Sequence, residues 1–224
     1  IPLRKILPGF GKIDVAAIVL MLVLSVTMLF VIILLRGTGV TFLPLLLMAV
    51  GRLVMLAINV FLVAIIVQVI ISWINPGSYN PVSQFLVRIT NPLLVPLRKI
   101  LPSIGKFDTS AMALMLVLQF LSLTLIVMLR GDGFPVLALL LASIGELVAL
   151  LLNVYMVAII VQVVISWVNP GTYNPVTGLL NSLTGPLLGP IRKLLPPLSG
   201  IDLSPLFALI GLQVLKMLIL PLLA

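Results

Sequence analysis

From Val15 to Leu35 the chain carries no charged residue, and that single run restricts the fold more than any other feature. At 1.5 Å per residue a helix of this length reaches about 32 Å, enough to cross a bilayer core of about 30 Å. A lipid-embedded backbone must also satisfy its own polar groups, which selects a helix. Ala111 to Leu129 and Pro205 to Ala224 repeat the pattern, the latter interrupted by Gln213 and Lys216. Leu43 to Ile74 and Val136 to Val168 are longer, each reaching about 48 Å, more than the hydrocarbon requires. A helix-weakening Gly adjoins a charge at Gly51-Arg52 and Gly145-Glu146, so the spans proper are expected at about Leu53 to Ile74 and Leu147 to Val168, with the preceding apolar turns at the interface.

Composition agrees with a membrane class. Of 224 residues 62% are hydrophobic and 8% charged, against about 25% charged in a soluble domain. Without Cys or His there is no disulfide, thiol nucleophile, imidazole base, or His or Cys metal site. Five carboxylates remain for acid and base work. Catalytic residues, metal and cofactor are therefore all expected to be absent, and the chain is expected not to be an enzyme.

The sequence repeats itself at a constant offset of 94 residues. VAIIVQV at Val63 to Val69 returns as Val157 to Val163, and SWINPGSYNPVS at Ser72 to Ser83 returns as SWVNPGTYNPVT at Ser166 to Thr177. PLRKILP at Pro2 to Pro8 recurs at Pro96 to Pro102 and, as PIRKLLP, at Pro190 to Pro196. This divides the chain into a partial repeat over 1–50, a complete one over 51–144 and a third over 145–224. The chain opens in mid-repeat without an initiator Met, so a preceding segment is expected. The expected fold is all-α: a polytopic transmembrane protein of parallel repeats with interfacial amphipathic helices. It has five visible spans, and six with the helix that should precede Pro2.

Two crossings per repeat return every PxRK segment to one side. Segments 1–14, 75–110 and 169–204 carry nine Lys and Arg, whereas the opposite loops and helix entrances carry Arg36, Arg52 and Arg130. The positive-inside rule then makes the PxRK side cytoplasmic. A full chain reversal at Gly51 would change this parity.

Trp73 and Trp167 end their helices where an indole prefers the membrane interface. Asn75-Pro76-Gly77 and Asn169-Pro170-Gly171 are helix-ending turns. Asn80-Pro81 and Asn174-Pro175 read as N-cap and first helical residue. The helix after Pro81 has Val82, Phe85, Leu86 and Ile89 on one face, with Gln84 and Arg88 away from it, as in a helix lying in the headgroup plane. A second short element is expected from Asn91-Pro92 to Pro102, carrying Arg98-Lys99. Asp108 and Asp202 then cap the following spans.

These residues resemble the YggT/YlmG family of small integral membrane proteins. The fit runs through Asn80, Pro81, Thr90, Pro92, Pro96, Arg98, Lys99, Pro102 and Asp108 in the middle repeat. It continues through Asn174, Pro175, Thr184, Pro186, Pro190, Arg192, Lys193, Pro196, Asp202, Ser204 and Pro205 in the last. Thr109-Ser110-Ala111 lacks the Pro of the last repeat, Gly185 replaces Asn91, and three PxRK units stand where the family usually has two. The resemblance implies a bacterial inner membrane or an organellar one. It links relatives with division, nucleoid distribution, osmotic tolerance and cytochrome assembly, and implies no defined enzymatic activity.

The candidate lipid or partner site comprises Arg4, Lys5, Arg88, Arg98, Lys99, Arg192, Lys193, Trp73 and Trp167, since each cation beside anionic lipid contributes about 1 kcal/mol. Plain topology signalling and headgroup anchoring is the simpler reading of the same cations. Asp108 has two readings, helix cap or partner of Arg98 or Lys99. Arg52 and Glu146 share a repeat position with opposite charges, which suits a bridge between repeats, and both also suit water. Lys216 lies near the middle of the last span, where it either snorkels or meets Asn153, Gln119, Gln213 or Glu146. Asn59, Asn153, Gln68 and Gln162 suit interhelical hydrogen bonding. The cations have no soluble domain to present them to nucleic acid, so no direct nucleic-acid binding is expected. The expected partners are anionic lipid headgroups and a larger membrane-protein complex or a homo-oligomer. The expected function is a scaffold or accessory subunit, the alternative an ion or small-solute transporter, and a lipid-modifying enzyme is third.

Overall fold

The computed structural model describes residues 14–37, 41–74, 80–103, 108–131, 133, 135–168, 174–194 and 202–223. Arg4, Lys5, the two Asn-Pro-Gly turns and Pro196 lie outside them. The described residues form seven helices: α1 (Val15–Arg36), α2 (Phe42–Ile74), α3 (Pro81–Ile100), α4 (Thr109–Arg130), α5 (Val136–Val168), α6 (Pro175–Leu194) and α7 (Ser204–Leu223). Five of them, α1, α2, α4, α5 and α7, are long and apolar enough to cross a membrane. The spans are apolar all round, whereas α3 and α6 are amphipathic. The order span, amphipathic helix, span occurs twice.

Helix starts follow the local chemistry. Asp14 accepts from the Ala17 N–H, and Asn80 accepts from the Val82 N–H at 2.8 Å with Pro81 as the first helical residue. Asn174 and Thr177 cap reciprocally: each side-chain oxygen accepts from the other's backbone N–H at 2.9 Å. α1 ends at Gly37 with φ +66°, a left-handed cap that glycine adopts without a Cβ clash.

Two expectations are corrected. α2 and α5 each run unbroken for 33 residues through Gly51 and Gly145. One glycine costs a helix only about 1 kcal/mol, and both glycines are buried at close approaches. A Cβ on Gly51 would clash with Leu129 Cδ1, and one on Gly145 would stand 3.2 Å from Leu223 Cβ. The glycines therefore admit a neighbour instead of ending the helix, and the chain does not reverse at Gly51. Likewise, no second element opens at Asn91: α3 continues through Pro92 and Pro96, and α6 through Pro186 and Pro190. Prolines four apart lie on one helix face, and all four are exposed. The carbonyls that lose their N–H donors thus lie on the outer face, while the inner ladder persists.

The chain divides into two compact units, Ile1–Asn59 with Thr124–Phe134, and Val60–Leu123 with Pro135–Ala224. In the first, Leu29 packs with Leu45 and Ala49, flanked by Leu22, Val26, Ile33 and Met48. In the second, Leu94 of α3 is buried against Ile65, Val69, Ala111 and Leu114, and Leu188 of α6 against Leu152, Ile159, Ala208 and Leu212. Each amphipathic helix is thereby seated on its own pair of spans. Its inward face is Leu86, Thr90, Leu94 and Leu97, whereas Phe85 points outward.

Candidate functional site

The most specific polar geometry lies where each amphipathic helix hands over to the next span. Arg98, at the end of α3, donates from Nε at 3.0 Å and Nη2 at 2.6 Å to Asp108 Oδ2. The other oxygen of Asp108 accepts from the Ala111 N–H at the start of α4. Asp108 is thus cap and ion-pair partner together, which unites two readings that the sequence left as alternatives. The last repeat builds the same corner: Arg192 Nε donates to Asp202 Oδ2 at 2.8 Å, and Asp202 Oδ1 accepts from the Ser204 N–H at 2.9 Å.

In the middle repeat two hydroxyls reinforce the corner. Ser110 donates to the Leu101 carbonyl at 2.6 Å and Thr109 to the Pro102 carbonyl at 2.8 Å, so carbonyls just beyond the end of α3 are satisfied from the start of α4. A cavity of about 30 Å³ opens beside Arg98 and Asp108, lined also by Gln68, Ser72, Trp73, Val69, Leu94 and Ala111. It brings together Trp73 and Arg98, two residues of the expected site. Lys99, Lys193, Arg88 and Trp167 are exposed.

Burial pushes the Asp202 carboxyl up, but bonding from Ser204 and the Arg192 guanidinium outweigh it and hold the group below the usual carboxylate range. A carboxylate lowered in the fold stabilises it above the ordinary value and loses that effect as pH falls through the folded value. Urea unfolding in detergent between about pH 6 and about pH 3 is expected to reveal an acid-dependent loss of stability that Asp202→Asn reduces.

Behind the corners, polar residues of the spans bond inward. The Thr90 hydroxyl, fully buried, bonds Gln68 Oε1, and Thr184 bonds Gln162 Oε1 at 2.5 Å while Gln162 Nε2 donates to Asn181 Oδ1 at 2.8 Å. Sequence reasoning noted these Thr and Gln residues separately and did not join them; the signal was a separation of 22 residues present in both repeats. Lys216 Nζ donates to Asn153 Oδ1 at 2.9 Å, so the lysine meets a partner inside the protein. Arg52 and Glu146, both exposed, belong to different units.

The profile of the CCB3/YggT family matches residues 47–129 and again 141–223, the offset already seen in the repeat. The chain belongs to the CCB3/YggT family. Each matched segment covers all but the first five residues of a long helix, its amphipathic helix and the next span. Among relatives, PA0392 of Pseudomonas aeruginosa is 42% identical over 163 residues, covering 72% of this chain and 83% of the relative. YggT of Escherichia coli is 33% identical over 166 residues, covering 71% and 83%. Ycf19 of Guillardia theta is 35% identical over 63 residues, covering 28% and 69%. All three bear the description uncharacterized. No solved structure matches the chain. Multi-pass membrane insertion thus follows from both the spans and the family.

Proposed function

We propose that this CCB3/YggT protein is a non-enzymatic membrane scaffold or accessory subunit that holds anionic lipid headgroups and a partner membrane protein at its PxRK corners. The observation that carries the reading is the corner built twice, with an arginine clamped by the capping aspartate of the next helix and an exposed lysine beside it. A clamped guanidinium gives Asp108 two of its five N–H donors and keeps the rest for a phosphate or carboxylate, already oriented. The excess of Lys and Arg on that side supports a cytoplasmic face for the corners, and the bacterial relatives support an inner membrane. Within the spans Lys216, Gln68 and Gln162 bond neighbouring side chains, which favours packing over a hydrated solute path.

Arg98→Ala combined with Arg192→Ala removes two cations worth about 1 kcal/mol each at an anionic surface, a roughly 30-fold weakening. Mass spectrometry of lipid and protein retained after extraction in mild detergent is expected to register that loss, with the seven helices intact by circular dichroism. Unchanged retention of lipid and of every partner by a folded double variant would make the docking role wrong.

A further inference from the structure

The two corners share their ion pair and differ one layer deeper. Gln68 of α2 and Gln162 of α5 hold the same repeat position, and each amide oxygen accepts from a threonine of the amphipathic helix, Thr90 or Thr184. At 2.5 Å the Thr184 contact has an O–H···O length, shorter than N–H···O bonds run, which turns the amide nitrogen the other way. In the last repeat that nitrogen is taken, because Gln162 Nε2 donates to Asn181 Oδ1 at 2.8 Å. In the middle repeat Val87 stands where Asn181 stands and offers no acceptor. Among the described residues Gln68 Nε2 has no acceptor, so both of its N–H groups are available.

Gln68 also lines the cavity beside Arg98 and Asp108. The volume of about 30 Å³ exceeds the roughly 10 to 15 Å³ that one water-sized group needs. That admits an oxygen of a phosphate and excludes a whole lipid headgroup. The lining supplies donors: the Gln68 amide, the Ser72 hydroxyl and the N–H groups of Arg98 that Asp108 does not use. Ser72, Trp73 and Arg98 are exposed, so the cavity opens outward at the end of α2. Asp108, in the same lining, opposes a second negative charge on the group that enters.

We propose that the middle corner is a phosphodiester site, in which one membrane phospholipid places a phosphate oxygen in this cavity against Gln68 Nε2, Ser72 Oγ and Arg98. The last corner, whose amide is already bonded, lacks such a site. A lipid phosphodiester carries a single charge, which suits donors with a carboxylate among them better than the near-double charge of a phosphomonoester. Free inorganic phosphate presents the same oxygens. Trp73, in the last turn of α2, sets the cavity at the interface where indoles settle beside headgroups, and that favours the lipid as the source. The inference rests on the lipid-holding role proposed for the corners, names the group held and makes the two corners unequal.

Native mass spectrometry of the delipidated full chain, titrated with phosphatidylglycerol of one acyl composition, reads the affinity of the first lipid bound. One lipid per chain is expected to bind well ahead of the rest. Val87→Asn gives Gln68 the acceptor that Gln162 has, and is expected to weaken that lipid about tenfold. Val87→Ala alters the same side chain without supplying an acceptor, and is expected to stay within about twofold of the parent. Ser72→Ala is expected to weaken binding several-fold, and Ser166→Ala, at the same place in the last repeat, to leave it unchanged. Diacylglycerol with the same chains lacks the phosphate and is expected not to compete, nor is millimolar inorganic phosphate. Parent affinity in both Val87→Asn and Ser72→Ala, with helix content intact by circular dichroism, would overturn the site. So would equal competition by diacylglycerol, or displacement of the lipid by inorganic phosphate. If those two variants bind as the parent does while Arg98→Ala with Arg192→Ala loses its lipid, the corners hold lipid and the phosphodiester site alone is wrong.

Discussion

Asn153→Leu is expected to destabilise the protein by about 2 to 3 kcal/mol, because it strands the Lys216 ammonium deep in a span. The amide oxygen of Asn153 is the acceptor for that charge, and a lysine at a helix centre costs about 2.5 to 3.5 kcal/mol on insertion scales. Lys216→Leu removes the charge itself and is expected to be neutral or stabilising, since leaving a half-buried charge without its acceptor costs more than removing the charge. The double variant Asn153→Leu, Lys216→Leu should therefore recover most of what Asn153→Leu loses. Unfolding in mixed micelles, followed by circular dichroism, measures all four chains. Equal losses in Asn153→Leu and the double variant would mean that the loss comes from packing at Asn153, and not from the ammonium.

Leu94→Ala and Leu188→Ala are each expected to cost about 2 to 5 kcal/mol of docking of an amphipathic helix. Both leucines are almost wholly buried, at the same repeat position, each beneath a helix and between its two spans. The loss should be local: amide exchange over 81–100 rises in the Leu94 variant and over 175–194 in the Leu188 variant, while the spans change little. Val95→Ala, one residue along on the exposed side, is expected to remain within about 0.5 kcal/mol of the parent. Matching exchange in the Val95 and Leu94 variants would mean that the amphipathic helices are not seated by these leucines. The consequence reaches the proposed docking role, because Arg98 and Arg192 ride on these helices and meet their aspartates only while the helices are seated.

The corners were half legible in the sequence. Asp108 and Asp202 stood out as caps because they immediately precede apolar helices, and Arg98 and Arg192 because PxRK recurs. That one carboxylate does both tasks depends on a loop returning the end of one helix beside the start of the next, ten residues on, which no local pattern specifies. The interior pairs were less legible. Gln68 and Thr90 sit on different helices and meet only after α3 folds back over α2, and Lys216 had four eligible acceptors. The sequence put Phe85 and Leu86 on one apolar face of α3, and only the structure separates them, with Leu86 packed inward and Phe85 exposed, because lipid and protein interior accept the same apolar side chains. Hydrophobicity alone cannot say which of them a residue faces.

Helix content, the number of spans, the repeat and the N-caps follow from sequence alone, since each depends on hydrogen bonds and hydropathy within a few residues. Two features that looked local proved to be tertiary. Gly51 and Gly145 read as breaks and are close-packing points inside continuous helices, and Pro92 and Pro96 read as a new start and lie within one helix. A glycine costs a helix about 1 kcal/mol, and a proline spares the inner ladder when its lost bond lies on the outer face. Packing across helices is strong enough to outweigh both, and that packing exists only once distant segments have met.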